Sequence, residues 1–178
     1  MKKRIFVGIK ISEKMLVFIK SWIKKNPWLY EQDFRLIKPE NLHLTIIPPW
    51  YEENVDNVIL KVEDRLKNSE LKPFKITFDN ISTGPNTKNS RLIWIKGRPN
   101  PDILRIKSFL EKSLGFSSVS KKFVPHITIA RFREIKDIKE LYNRVSIEEN
   151  ICSFSIFESR LSSKGSSYKL IKDFEFKC

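Results

Sequence analysis

The residues best suited to chemistry in this chain come as a repeated pattern. His43-Leu44-Thr45-Ile46 and His126-Ile127-Thr128-Ile129 contain the only two histidines of the sequence. Side chains alternate faces along a strand, so each tetrapeptide presents its His and Thr on one face and its aliphatic residues on the other. One face suits a polar cleft, the other a core. An imidazole titrates near neutral pH and can be held in either protonation state. A facing pair can therefore take a proton from an attacking water and give one to a departing oxygen, on opposite sides of a phosphorus. Each Thr hydroxyl, two residues from its His, can donate to a non-bridging phosphate oxygen as negative charge builds there. The scheme asks for no metal and no cofactor.

Strands must deliver both motifs, and the rest of the chain reads as their support. Residues 4–11 are β-branched and aromatic and predict a buried strand. Ser12 then offers an N-cap, and Met15, Ile19, Trp22 and Ile23 recur at helical spacing over residues 13–25, ending near Asn26-Pro27. A short strand at 34–37 and a turn at 38–41 lead into the first motif strand, 42–47, which Pro48-Pro49 is expected to end. Val55, Val58, Ile59, Val62 and Leu66 predict a second helix over 52–67. Residues 74–78 and 91–95 read as strands, with loop chemistry at 82–86. Ile103, Ile106, Leu110 and Leu114 predict a third helix over 101–114, stopped by Gly115. A serine-rich stretch at 117–120 precedes the second motif strand, 123–131, and a weaker fourth helix is expected over 135–143. Strands at 152–157 and 168–176 flank a cationic loop at 162–167. The class is α+β: a duplicated, two-lobed fold, each lobe an antiparallel sheet with two helices, the cleft lying on a pseudo-twofold axis between them. No Gly-rich phosphate loop supports a Rossmann or P-loop reading.

The chain has 178 residues, enough for one domain of two closely packed lobes over a real core. A net charge of +13 draws polyanions, so nucleic acid, nucleotides or a phosphorylated small molecule are the expected partners. A lysine-rich genome or a hot habitat accounts for the same lysines equally well. Cys152 and Cys178 are too few for a disulfide framework. The opening Met1-Lys2-Lys3-Arg4 is not followed by a signal-peptide core, because Gly8 and Lys10 interrupt it. No apolar run is long enough to span a bilayer. A cytoplasmic monomer without membrane contact is expected.

The duplicated motif, its spacing and its flanks resemble the 2H phosphoesterase superfamily, in particular the RNA 2′,3′-cyclic phosphodiesterases long called 2′-5′ RNA ligases. The resemblance runs through Arg4-Ile5-Phe6-Val7, Pro39-Glu40-Asn41-Leu42-His43-Leu44-Thr45, Pro125-His126-Ile127-Thr128-Ile129-Ala130-Arg131 and residues 159–168. It implies a two-lobed α+β fold, one such unit over 1–178, and opening of a terminal RNA 2′,3′-cyclic phosphate to a 2′-phosphomonoester. It implies His43 as the general acid toward the 3′-oxygen and His126 as the general base. Thr45 and Thr128 then hold the phosphate, and Arg131 neutralises it. Joining a cyclic phosphate to a 5′-hydroxyl is the same chemistry with an alcohol in place of water. The chain departs from the family after the first motif, where Ile47-Pro48-Pro49-Trp50-Tyr51 replaces a Phe-Leu-Gly turn. That leaves the substrate open between RNA ends, cyclic nucleotides, 2′-5′ oligonucleotides and small cyclic phosphates.

Further candidates are less sharply defined. Trp50 and Tyr51 are candidate base contacts or core residues. Lys121, Lys122, Arg133, Arg160 and Lys164 are a candidate phosphate-guiding rim or plain solvated charge, and Tyr168 joins the candidate contacts. Strict alternation turns Arg131 away from the His126 and Thr128 face unless the strand bulges or twists. Competing readings are a metal site, for which no further His or paired Cys completes a set, and a nucleic-acid or nucleotide-binding module without turnover.

Overall fold

The structure, a computed structural model, describes residues 1–31, 34–85, 90–116, 123–136, 141–162 and 165–177. It is α+β. The strands are β1 (Lys3–Lys10), β2 (Phe34–Leu36), β3 (His43–Glu52), β4 (Phe74–Gly84), β5 (Ser90–Gly97), β6 (His126–Lys136), β7 (Tyr142–Ile151), β8 (Ser153–Ser162) and β9 (Gly165–Glu175). The helices are α1 (Glu13–Lys25), α2 (Trp28–Glu31), α3 (Val55–Lys67) and α4 (Pro101–Leu114). Among the described residues no helix is long and apolar enough to cross a membrane.

The strands form one sheet in the order β7-β4-β5-β6-β3-β1-β8-β9, with β2 added beside β6. Every pairing is antiparallel. The middle of the chain supplies one half, β4 to β7, and the two ends supply the other, so the motif strands β3 and β6 meet at the seam.

The helices form where the sequence has both an apolar stripe and a cap. Met15, Ile19 and Trp22 of α1, Val55, Val58 and Val62 of α3, and Ile103, Ile106 and Leu110 of α4 are buried. Ser12, Asn54 and Asn100 each accept an orphan N–H of the following first turn. Gly115 ends α4 at φ 72°, a left-handed conformation that suits a residue without Cβ. These stripes share one core cluster with Ile5, Val7 and Ile9 of β1, Leu44 and Ile46 of β3, and Ile127 and Ile129 of β6. Phe6, Trp94 and Phe157 are buried too but stand outside that cluster, on the face opposite the helices. That opposite face carries both histidines.

Some expectations are corrected. Pro48-Pro49 do not end the first motif strand, because β3 continues to Glu52. The register against β1 steps from Val7↔Ile47 to Ile5↔Trp50, and the two exposed prolines occupy that irregularity, where no ladder donor is needed. The loop expected from Ser82 starts only after Gly84, where β4 ends. The helix expected over 135–143 is not formed: Ile135 and Lys136 close β6, Tyr142 and Asn143 open β7, and 137–140 lie outside the described residues. Val145, Ile147 and Ile151 alternate with polar residues, a period of two that pairs β7 along β4.

Candidate active site

The two motif strands touch at Leu44↔Ile127. Both residues point into the core, at 2% and 0% exposure. Their neighbours on each strand therefore all turn to the open face: His43 and Thr45 from β3, His126 and Thr128 from β6. Beyond this pair β3 and β6 part, and β2 becomes the neighbour of β6, with Leu36 opposite Ala130 and Arg35 opposite Arg131.

Each imidazole is oriented by the same local device. His43 Nδ1 lies 2.7 Å from the Asn41 carbonyl oxygen, and His126 Nδ1 lies 2.8 Å from that of Val124. A carbonyl only accepts, so both Nδ1 atoms carry the proton and both Nε2 atoms are left for chemistry. His43 Nε2 is 3.0 Å from Thr45 Oγ1. The seats differ. His43 is boxed by Phe6 at 4.8 Å, Tyr168 at 5.0 Å and Phe157 at 6.4 Å between ring centroids. His126 lies against Trp94 at 4.7 Å, whose Nε1 donates to Ser82 Oγ. Asn41 is also buried, and its side-chain amide donates to the Ser166 carbonyl, tying the turn before His43 to the strand that carries Tyr168.

Burial holds both imidazoles below the usual histidine pKa. The bond to the Asn41 or Val124 carbonyl pushes each the other way, since it favours the charged ring. Positive charge on Arg131 depresses both, and that on His126 depresses His43.

Arg131 reaches this place through a bulge. Against β5 the register steps from Trp94↔Thr128 to Ile93↔Ala130, so an extra residue sits in β6. Ile129 and Ala130 are consecutively buried, and Arg131 re-emerges on the open face. The same step occurs in β3: Gly8↔Thr45 is followed by Val7↔Ile47, with Ile46 and Ile47 both buried and Pro48 exposed. The duplication thus extends to the bulge, but only the second copy carries a cation after it.

The remaining candidates are placed unevenly. Tyr168 is brought to His43. Trp50 is not brought to the imidazoles: it packs against Phe116 at 5.3 Å, opposite buried Ile5 on the core side. Tyr51 is exposed opposite Arg4, farther along β3. Arg160 is exposed and donates to Glu158. Lys121, Lys122 and Lys164 lie outside the described residues, as does the side chain of Arg133. No group of three or more His, Cys, Asp or Glu is gathered as a metal set among the described residues. Sequence reading passed over Trp94, Phe157 and the neighbour of Arg131, Arg35. Their signal was cross-strand register, which a single chain does not display.

A family model described as the 2′-5′ RNA ligase superfamily matches residues 26–158. The RNA 2′,3′-cyclic phosphodiesterase of Methanocaldococcus jannaschii is 31% identical, covering 96% of this chain and 99% of that protein. The one from Archaeoglobus fulgidus is 28% identical over 97% and 99%. E. coli LigT solved with 3′-AMP superposes over the whole of both chains with a TM-score of 0.79 at 17% identity, a likeness of fold.

Proposed function

This chain belongs to the 2′-5′ RNA ligase superfamily, and on that premise we propose that it is a cyclic phosphodiesterase that opens the 2′,3′-cyclic phosphate at an RNA end to a 2′-phosphomonoester. The observation that carries the reading is the paired presentation of Nε2: two imidazoles on one face of strands that meet at Leu44 and Ile127, each locked at Nδ1 by a backbone carbonyl. The relatives' names supply the substrate.

In this scheme His126 works as the base. Its Nε2 takes a proton from water as the oxygen attacks phosphorus. The P–O3′ bond breaks on the far side, and charged His43 gives its Nε2 proton to the 3′-oxygen. The product carries a 2′-phosphate and a free 3′-hydroxyl, and the two rings exchange protons with solvent to reset. An anionic phosphate between the rings favours their charged forms, offsetting the burial that depresses His43 in the free protein. Thr45 and Thr128 donate to the non-bridging oxygens, and Arg131 balances the charge that grows there. A 5′-hydroxyl in place of water gives ligation by the same proton transfers. The residues just named supply both proton transfers and the charge balance, so this route assigns no step to a metal.

The test is product analysis in chelator with cyclic mononucleotides and RNAs ending in a 2′,3′-cyclic phosphate. The expected product is the 2′-phosphate alone. No turnover, or a 3′-phosphate, contradicts the reading.

A further inference from the structure

Resting on that hydrolase reading and deepening it, we propose that the RNA strand upstream of the reacting phosphate runs across the open face of the β6-β5-β4-β7 half, into a distal subsite for phosphate and base formed by Arg144, Arg98 and Tyr142.

Sheet register draws the path. One row of cross-strand partners runs His126↔Lys96, Lys96↔Asn80, Asn80↔Arg144; the next runs Thr128↔Trp94, Trp94↔Ser82, Ser82↔Tyr142. Both rows start at an active-site residue and end on β7, about 14 Å away at the usual strand spacing. The first row carries cations, and the second runs from the buried Trp94 ring packed on His126 to the exposed ring of Tyr142. That combination suits a single strand, whose phosphates want cations and whose bases stack regardless of sequence. The rows are knit together: Trp94 donates to Ser82, and Ser82 donates to Asn80. Lys96 Nζ sits 5.8 Å from the Trp94 ring centre.

At the β7 end the face opens into a hollow of about 440 Å³ lined by Thr77, Asp79, Arg98, Tyr142, Arg144, Val145 and Ser146. The Tyr142 residue is 56% exposed, a large ring held on a strand at the edge of that hollow. Asp79 opposes an anion there, but its Oδ2 accepts from Arg98 Nε at 2.9 Å and its Oδ1 accepts from Asn80. Lys96 and Arg144 have no ion pair among the described residues.

The other half of the face has an exposed ring too, Tyr51 opposite Arg4, but among the described residues no cross-strand row there links it to His43. Lys10 stands opposite His43 as Lys96 stands opposite His126, yet its Nζ is tied to Asp173 at 2.6 Å. Phe6, Phe157 and Tyr168 pack on one another and on His43. The two continuous rows, the Lys96 and Arg144 along them, unpaired among the described residues, and the hollow at their end select the His126 side.

The experiment compares the wild type with the double variant Arg144→Gln, Tyr142→Ala on 2′,3′-cyclic AMP and on a short oligoribonucleotide ending in 2′,3′-cyclic phosphate. Anisotropy titration of the corresponding 2′-phosphate oligoribonucleotide is read beside it. The variant should lose about tenfold or more in kcat/KM and in affinity on the oligonucleotides. Its salt slope for binding should fall by about 0.7, and turnover of the cyclic mononucleotide should be unchanged. Unchanged oligonucleotide binding, or an equal loss on the mononucleotide, overturns the track. A wild type that turns over neither cyclic substrate sinks the hydrolase reading instead, while the titration still decides the track.

Discussion

Leu44 and Ile127 face each other across the seam between β3 and β6, and that one apolar pair sets the phase that turns both histidines to the same side. Ile127→Ala removes a fully buried side chain from it. It should cost about 2–5 kcal/mol in denaturant unfolding. Turnover should fall even where the variant remains folded, because the seam no longer fixes the spacing of the rings. A folded Ile127→Ala with wild-type kcat would separate the seam from the chemistry.

The pH dependence has a defined sign. The base must be neutral, so the rate rises through its pKa; the acid must be charged, so the rate falls above its own. Burial first, and Arg131 with it, holds both imidazoles below 6.5 in the free protein. The optimum of kcat/KM should therefore lie on the acid side of that value. Arg131→Gln removes a cation that depresses both rings, and should move both limbs to higher pH while lowering the rate. A measured profile that keeps its position in Arg131→Gln contradicts the coupling.

The two threonines should not be equivalent. Either Thr45→Ala or Thr128→Ala removes a phosphate donor of the proposed mechanism and should cost about a hundredfold in kcat. Thr45→Ala also frees His43 Nε2 from its hydroxyl partner. It alone should shift the limb of the profile that belongs to the acid. Comparison of the two pH profiles checks this.

Gly84 makes room for the ring behind His126. A Cβ there would stand 2.4 Å from Trp94 Cε2, closer than packed atoms allow. Gly84→Ala should displace Trp94 and lower kcat, while the more distant His43 seat is untouched. Tryptophan fluorescence and steady-state rates read the two effects, and a variant with both unchanged would show that the indole is not needed to seat His126.

Much of this arrangement was legible in the residues themselves. The alternation of His43-Leu44-Thr45-Ile46 and of its second copy gives the face, and the stripes and caps of α1, α3 and α4 give three helices. What stayed hidden depends on partners far along the chain. Arg131 lies on the wrong phase by counting, and only the bulge recorded in the partners of Ile93 and Trp94 returns it to the site. The same kind of irregularity carries β3 through Pro48-Pro49. The 135–143 stretch has Ile135, Ile138 and Leu141 at helical spacing, yet the backbone around it is claimed by pairing with β4 and β5. Position alone left Trp50 open between a base contact and a core residue, and its register opposite Ile5 puts it on the core side.

The division of labour between the rings is tested most directly by changing the leaving atom. A cyclic substrate with sulfur in place of the bridging 3′-oxygen leaves without needing a proton. His43→Ala and His126→Ala should each lose about a hundredfold to ten-thousandfold on the oxygen substrate. On the sulfur substrate His43→Ala should recover most of its rate and His126→Ala none. Equal losses for both variants on both substrates, or undiminished turnover in either variant on oxygen, would contradict an acid at residue 43 and a base at residue 126.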